Sequence, residues 1–176
     1  NKNQFTYGDG SVSKHFFVIS LKRSRMREKM DPGNWELELS GSKAKIGHDV
    51  RLIDDSNSTT NPEAGIGGRV FNVVSGSIRS GVSSIDSPAS VTGSAYGLFY
   101  PDLGLIVLNG DMIDNKTSFG DGMEGVLETS DANTGNARKF FKQVKGGAYF
   151  QARREEKLSS THYFVRAGNK EFNFSN

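Results

Sequence analysis

The sequence predicts an all-β domain, a β-sandwich or a partly open barrel, with long Gly/Ser-rich loops and one short helix. Three observations carry that prediction. Trp35-Glu36-Leu37-Glu38-Leu39-Ser40 alternates strictly between apolar and polar residues, the period of a strand with one face in a core. Residues 96–108 place two apolar runs around Pro101-Asp102-Leu103-Gly104, the pattern of a hairpin. Gly and Ser, 21 of each among 176 residues, set turn signals every ~10–20 residues, as sandwiches and barrels require.

Taken in order, His15-Phe16-Phe17-Val18-Ile19-Ser20-Leu21 is nearly continuous in apolar residues and reads as a strand buried on both faces. A basic stretch follows: Lys22, Arg23, Arg25, Arg27 and Lys29 against one Glu28. Asp31-Pro32-Gly33-Asn34 is a turn signal, because Pro fixes φ at the second position and Gly accepts positive φ at the third. In the strand at 35–40, Trp35, Leu37 and Leu39 are expected to face the core, and Glu36, Glu38 and Ser40 to face water. Residues 50–54 form a shorter strand, 55–68 a long loop, and 69–74 another strand. Residues 75–93 are Ser/Gly-rich with weak strand character near Val82 and Ile85, before the hairpin at 96–108.

Residues 109–114 can form one helical turn, and 116–136 read as a polar, Gly-rich loop. The best helix is 137–144: Asn136 can cap it, Phe140, Phe141 and Val144 share a stripe, and Gly146-Gly147 stops it. Alternation over 148–156 suggests a strand carrying Arg153, Arg154, Glu155 and Glu156. Residues 161–166 and 171–175 read as a final hairpin around a turn at 167–170. The whole is expected to be one β-rich domain over 1–176. It begins with Asn1 rather than Met and stops just after an alternating run, which leads us to expect a segment of a longer protein.

Composition excludes several function classes. Twelve Phe, five Tyr and one Trp are too many aromatics for a disordered chain. No apolar run approaches the ~18 residues of a membrane-spanning helix. A net charge of +2 argues against binding nucleic acid over the whole surface. The absence of Cys removes disulfides and thiolate zinc sites, and 35% hydrophobic content with mean hydropathy −0.51 predicts weak stability in isolation.

Candidate chemistry is sparse. His15, His48 and His162 stand apart, without the close spacing that favours a metal site. A Ser-His-Asp triad is a matter of geometry and stays open, although no Gly-x-Ser-x-Gly elbow is present. Gly65-Ile66-Gly67-Gly68 lacks the Lys-Ser/Thr of a phosphate loop. The Gly-Asp-Gly triplets at Asp9 and Asp121 lack the clustered acids of a calcium loop and read as turns. No catalytic, cofactor or metal residue is assigned. The residues that stand out are charges: Lys22, Arg23, Arg25, Arg27 and Lys29, and Arg153, Arg154, Glu155 and Glu156. Solvated faces explain them adequately; the sharper reading is that they are subunit contacts, the basic stretch docking against an acidic neighbour.

Several phrases together resemble virion structural proteins of contractile-tailed bacteriophages, of the cyanophage type. They are His15-Phe16-Phe17-Val18-Ile19-Ser20-Leu21-Lys22-Arg23, Lys29-Met30-Asp31-Pro32-Gly33-Asn34-Trp35-Glu36-Leu37, Tyr96-Gly97-Leu98-Phe99-Tyr100-Pro101-Asp102-Leu103-Gly104, and residues 150–176 in the same order. The Asp-Pro-Gly-Asn-Trp-Glu phrase is the most specific of these. The resemblance implies a non-enzymatic particle component of the tail or baseplate, assembled in the host cytoplasm and located in the virion. Its partners would be other virion proteins and copies of itself. It implies no cofactor and supplies no catalytic residue. An alternative function is a carbohydrate-binding or receptor-reading fibre module, in which an aromatic such as Trp35 or Tyr100 stacks on a sugar.

Overall fold

The computed structural model describes residues 5–13, 15–41, 48–58, 63–65, 67–116, 134–147 and 150–166. Among them run eleven strands: β1 (Phe5–Thr6), β2 (Val12–Ser13), β3 (Phe16–Ser20), β4 (Lys29–Leu39), β5 (Val50–Asp54), β6 (Glu63–Gly65), β7 (Gly68–Arg79), β8 (Val82–Ile85), β9 (Gly97–Tyr100), β10 (Leu105–Asn109) and β11 (Phe150–Glu155). Three short helices accompany them: α1 (Arg23–Met26), α2 (Gly110–Lys116) and α3 (Thr134–Gly146). The fold is all-β, as the sequence predicts; α3 stands for the one helix expected, α2 for the helical turn read at 109–114, and α1 within the basic stretch is additional.

The strands form one curled antiparallel sheet in the order β11-β4-β5-β7-β9-β10-β3, with β6 and β8 paired to the two ends of the long β7; β1 and β2 make a separate small ribbon. The hairpin around Pro101–Gly104 is present, with Tyr100 opposite Leu105. The curl brings that turn back against the start of β4, where Met30 donates its N–H to the Pro101 carbonyl at 3.0 Å. Leu21, just past β3, donates to the Gly104 carbonyl at 3.0 Å.

Inside the curl lies one apolar cluster: Trp35, Leu37 and Leu39 of β4 pack with Leu52, Phe71, Val73, Phe99, Ile106 and Leu108. Trp35 and Phe99 meet at a ring separation of 5.3 Å. The helix α3 presents Phe140, stacked on Phe17 at 4.5 Å. Outside the curl a second, smaller cluster of Ile53, Val74 and Ala89 is flanked by Ile78 and Ile85.

That second cluster corrects one expectation. Glu36 and Glu38 do not face water; they are 0% and 6% exposed. The β7–β8 hairpin covers the outer face of β4 there, and the carboxylates find donors in it and on the neighbouring β5. Ile78 gives its N–H to Glu36 Oε2 at 3.0 Å, and Arg51 Nε donates to Glu38 Oε2 at 2.8 Å. Alternation identified the strand correctly but assumed that only one face was dry.

Other expectations shift for equally local reasons. Asp31-Pro32-Gly33-Asn34 is not a turn between strands but an irregularity within β4, where the register against β11 jumps from Trp35 opposite Ala152 to Met30 opposite Arg154. Gly33 sits there at φ 77, and its N–H is held at 2.9 Å by the buried Asp54 carboxylate. β3 is an edge strand rather than one buried on both faces, and Phe16 and Val18 remain half exposed. Asn136 lies inside α3 rather than capping it. Residues 161–166 form no strand, while 167–176 and 117–133 fall outside the described residues.

Candidate assembly surface

Lys22 and the residues after it leave β3 and fold into the single turn α1, which buries Met26 and turns its cations outward. The chain then enters β4 at Lys29. β11 lies antiparallel beside it and sets Glu155 opposite Lys29. The two charged segments singled out in the sequence are therefore neighbours. Lys29 Nζ stands 2.9 Å from Glu155, and Arg27 stands 3.2 Å from Glu156, which Arg154 also reaches at 2.8 Å. Glu28 accepts the Lys157 N–H at 3.1 Å.

The network continues across the mouth of the curl. Arg69 of β7 bridges Glu155 and Asp102, each at 3.1 Å, and its own N–H donates to Asp102 at 2.9 Å. One ionic chain thus ties β4, β11, β7 and the β9–β10 turn together. The Lys29 ammonium, joined by Arg69, holds the Glu155 carboxyl below its usual range. Partial burial pushes Asp102 upward, but the hydrogen bonds from Arg69 outweigh it and the net shift is downward. The Arg69 guanidinium is raised in turn, first by its hydrogen bond to Asp102.

Of the nine charged candidates, Arg27, Lys29, Arg154, Glu155 and Glu156 neutralise one another within the chain. Lys22, Arg23, Arg25 and Arg153 have no carboxylate partner among the described residues. Arg69 and Asp102 were not singled out from the sequence. They stand 33 positions apart, and Arg69 and Glu155 stand 86 apart, separations at which local pattern carries no signal.

Beyond the network the chain becomes an arm. All of β11 up to Arg154 is exposed, and past the Lys157 N–H held by Glu28 residues 158–166 run on as exposed chain outside any helix or strand. Leu158, Tyr163, Phe164 and Val165 are 85–99% exposed. Such a run of large apolar side chains in water marks a surface that association would cover.

Ser13, His15 and Asp111 do converge, but Asp111 holds both others: His15 Nδ1 lies 3.0 Å away, and the Ser13 hydroxyl donates to it at 2.8 Å. The hydroxyl also meets the His15 carbonyl, so its bonds run to oxygen rather than to the imidazole base of a triad. Asp9 accepts N–H groups from Ser11 and Gly93, which is turn chemistry; Asp121 lies outside the described residues. Among the described residues no three His, Asp or Glu side chains converge as metal ligands would, and no helix is long and apolar enough to cross a membrane. Trp35 is fully buried and cannot stack on a sugar from solution. A polar cleft of about 590 Å3 opens beside Glu38, Arg51, Arg79 and Asp86.

No family model, curated protein or solved structure matches the chain.

Proposed function

We propose that the chain is a non-enzymatic structural subunit of a bacteriophage particle, of the contractile tail or baseplate, working through protein–protein contacts. The observation that carries the contact reading is the exposed apolar arm at 157–166, continuous with an edge strand that is itself exposed. Fixing an arm of this kind costs conformational entropy, and a folded chain alone gains no buried area in return. Packing against a neighbouring subunit supplies that area. The phage placement rests on the sequence resemblance given above. In this reading the partners are other virion proteins, copies of the same chain among them, and no cofactor or nucleic acid is required.

The test is direct labelling. Antibodies raised against residues 1–176 should decorate purified tailed particles at a fixed position under the electron microscope. Particles that carry no label, with the chain recovered only from the soluble fraction, would remove the reading.

A further inference from the structure

A groove of about 670 Å3 opens between α1 and β11, at the place where the curled sheet is not closed. Its floor is apolar, made by Leu21, Met26, Met30, Phe150 and Ala152. Its rim is cationic, with Arg25 on the α1 wall and Arg153 and Arg154 on the β11 wall. Glu156 neutralises Arg154, but no carboxylate among the described residues meets Arg25 or Arg153. Among the described residues β11 is the terminal strand of the sheet and pairs only with β4, so its outer edge presents N–H and C=O groups with no described strand partner beside the groove.

We propose that this groove and edge receive an extended segment of a partner protein that alternates apolar and acidic residues, added as a further strand along β11. The inference rests on the subunit reading above and names the partner's chemistry. Main-chain hydrogen bonds to the β11 edge supply affinity, and alternate side chains supply choice. A strand points successive side chains to opposite faces. Apolar residues of the guest therefore lie over the floor beside Phe150 and Ala152, and the acidic residues between them fall on the face of Arg153. Arg25 keeps the far wall positive. The charge also argues against the arm of a second copy as occupant: residues 157–166 contain Lys157, His162 and Arg166 and no acid, so that arm would bring cations to cations.

The experiment is fluorescence anisotropy on the intact chain with a short labelled peptide alternating Val and Glu. Two controls accompany it: the same peptide with Lys for Glu, and one with a central Pro that cannot complete a strand ladder. The acidic peptide should bind, more weakly as salt rises, and both controls should fail. Arg25→Glu with Arg153→Glu should weaken binding on the order of tenfold or more, while Arg→Lys at both positions should largely retain it. Both residues are exposed, so circular dichroism should show the variants folded. Amide exchange should slow in residues 150–155 on binding.

Equal binding of the acidic and basic peptides, binding of the Pro peptide, no binding at all, or protection away from β11 would each overturn the proposal. So would a dimer of the chain that the double Glu variant dissolves, since the occupant would then be a second copy. Particle labelling is read independently: labelled particles without peptide binding sink the groove and leave the subunit reading standing.

Discussion

β7 and β11 belong to the same sheet, and they are held by different forces. β7 is paired along both edges, and Phe71, Val73 and Val74 are buried on its two faces. β11 is paired on one edge, and five of its six residues are exposed. The centre is fixed chiefly by apolar burial, which charge screening by salt does not weaken. The rim is fixed by the Lys29–Glu155–Arg69–Asp102 chain, which salt and acid both weaken. The two regions should therefore open separately, the rim at lower cost.

The largest effect should come from striking the centre. Trp35→Ala removes the largest fully buried side chain and should cost about 3–5 kcal/mol in denaturant unfolding. A loss below about 1 kcal/mol would mean that the core does not depend on it. Next is Arg51, which stands between the buried Glu36 and Glu38. Arg51→Ala takes the guanidinium from both carboxylates. Because Arg51 is itself 31% exposed, the cost should be about 2–3 kcal/mol, below that of breaking a fully buried pair. Arg51→Lys should recover only part of this, since an ammonium cannot address two carboxylates in fork geometry.

Acid should separate the regions by sign. Glu155 and Asp102 titrate below their ordinary values of 4.5 and 3.8 in the folded chain. Their stabilisation is complete above those values and is lost as pH falls through the lower folded ones. Asp54, in the centre, is raised above 3.8 by burial, against the hydrogen bonds from Ser56 and Gly33. Its ionisation costs stability as pH rises from 3.8 through the higher folded value, so acid relieves the centre there while it loosens the rim. Amide exchange, taken relative to its intrinsic rate at each pH, should accelerate in 150–157 before it does in 50–54 as the pH falls below about 4, with a rim effect of no more than about 1 kcal/mol because water screens these pairs. Simultaneous acceleration in both would erase the distinction. The smallest effect should follow from deleting residues 158–166: unfolding free energy should stay within about 0.5 kcal/mol, since the arm packs on nothing that is described. A larger loss would show that the arm belongs to the folded core.

The all-β class was legible because two signals were local. Strict alternation marked 35–39, and Pro101–Gly104 marked the hairpin. What failed was whatever depended on a distant covering element. Glu36 and Glu38 read as solvent-facing because nothing near them in sequence announces the β7–β8 hairpin. Phe16 and Val18 read as buried because an edge position is a property of the finished sheet. Thr161-His162-Tyr163-Phe164-Val165-Arg166 has the composition of a strand and no described partner to pair with. The charged candidates were legible as clusters, but their mutual neutralisation was not, because it depends on β11 returning to β4.

That return has a consequence in time. Arg27 and Glu156 meet across 129 positions of sequence. Synthesis at ~5–20 residues per second leaves roughly 6–26 s between the emergence of the two. During that interval the first half of β4, from Met30 to Trp35, has no neighbour on its β11 side, and β5 pairs only with Leu37 to Leu39. A nascent chain therefore carries an open sheet edge from the emergence of β4 until that of β11, and any stalled or shortened product ending before β11 would release that edge as a site for aggregation.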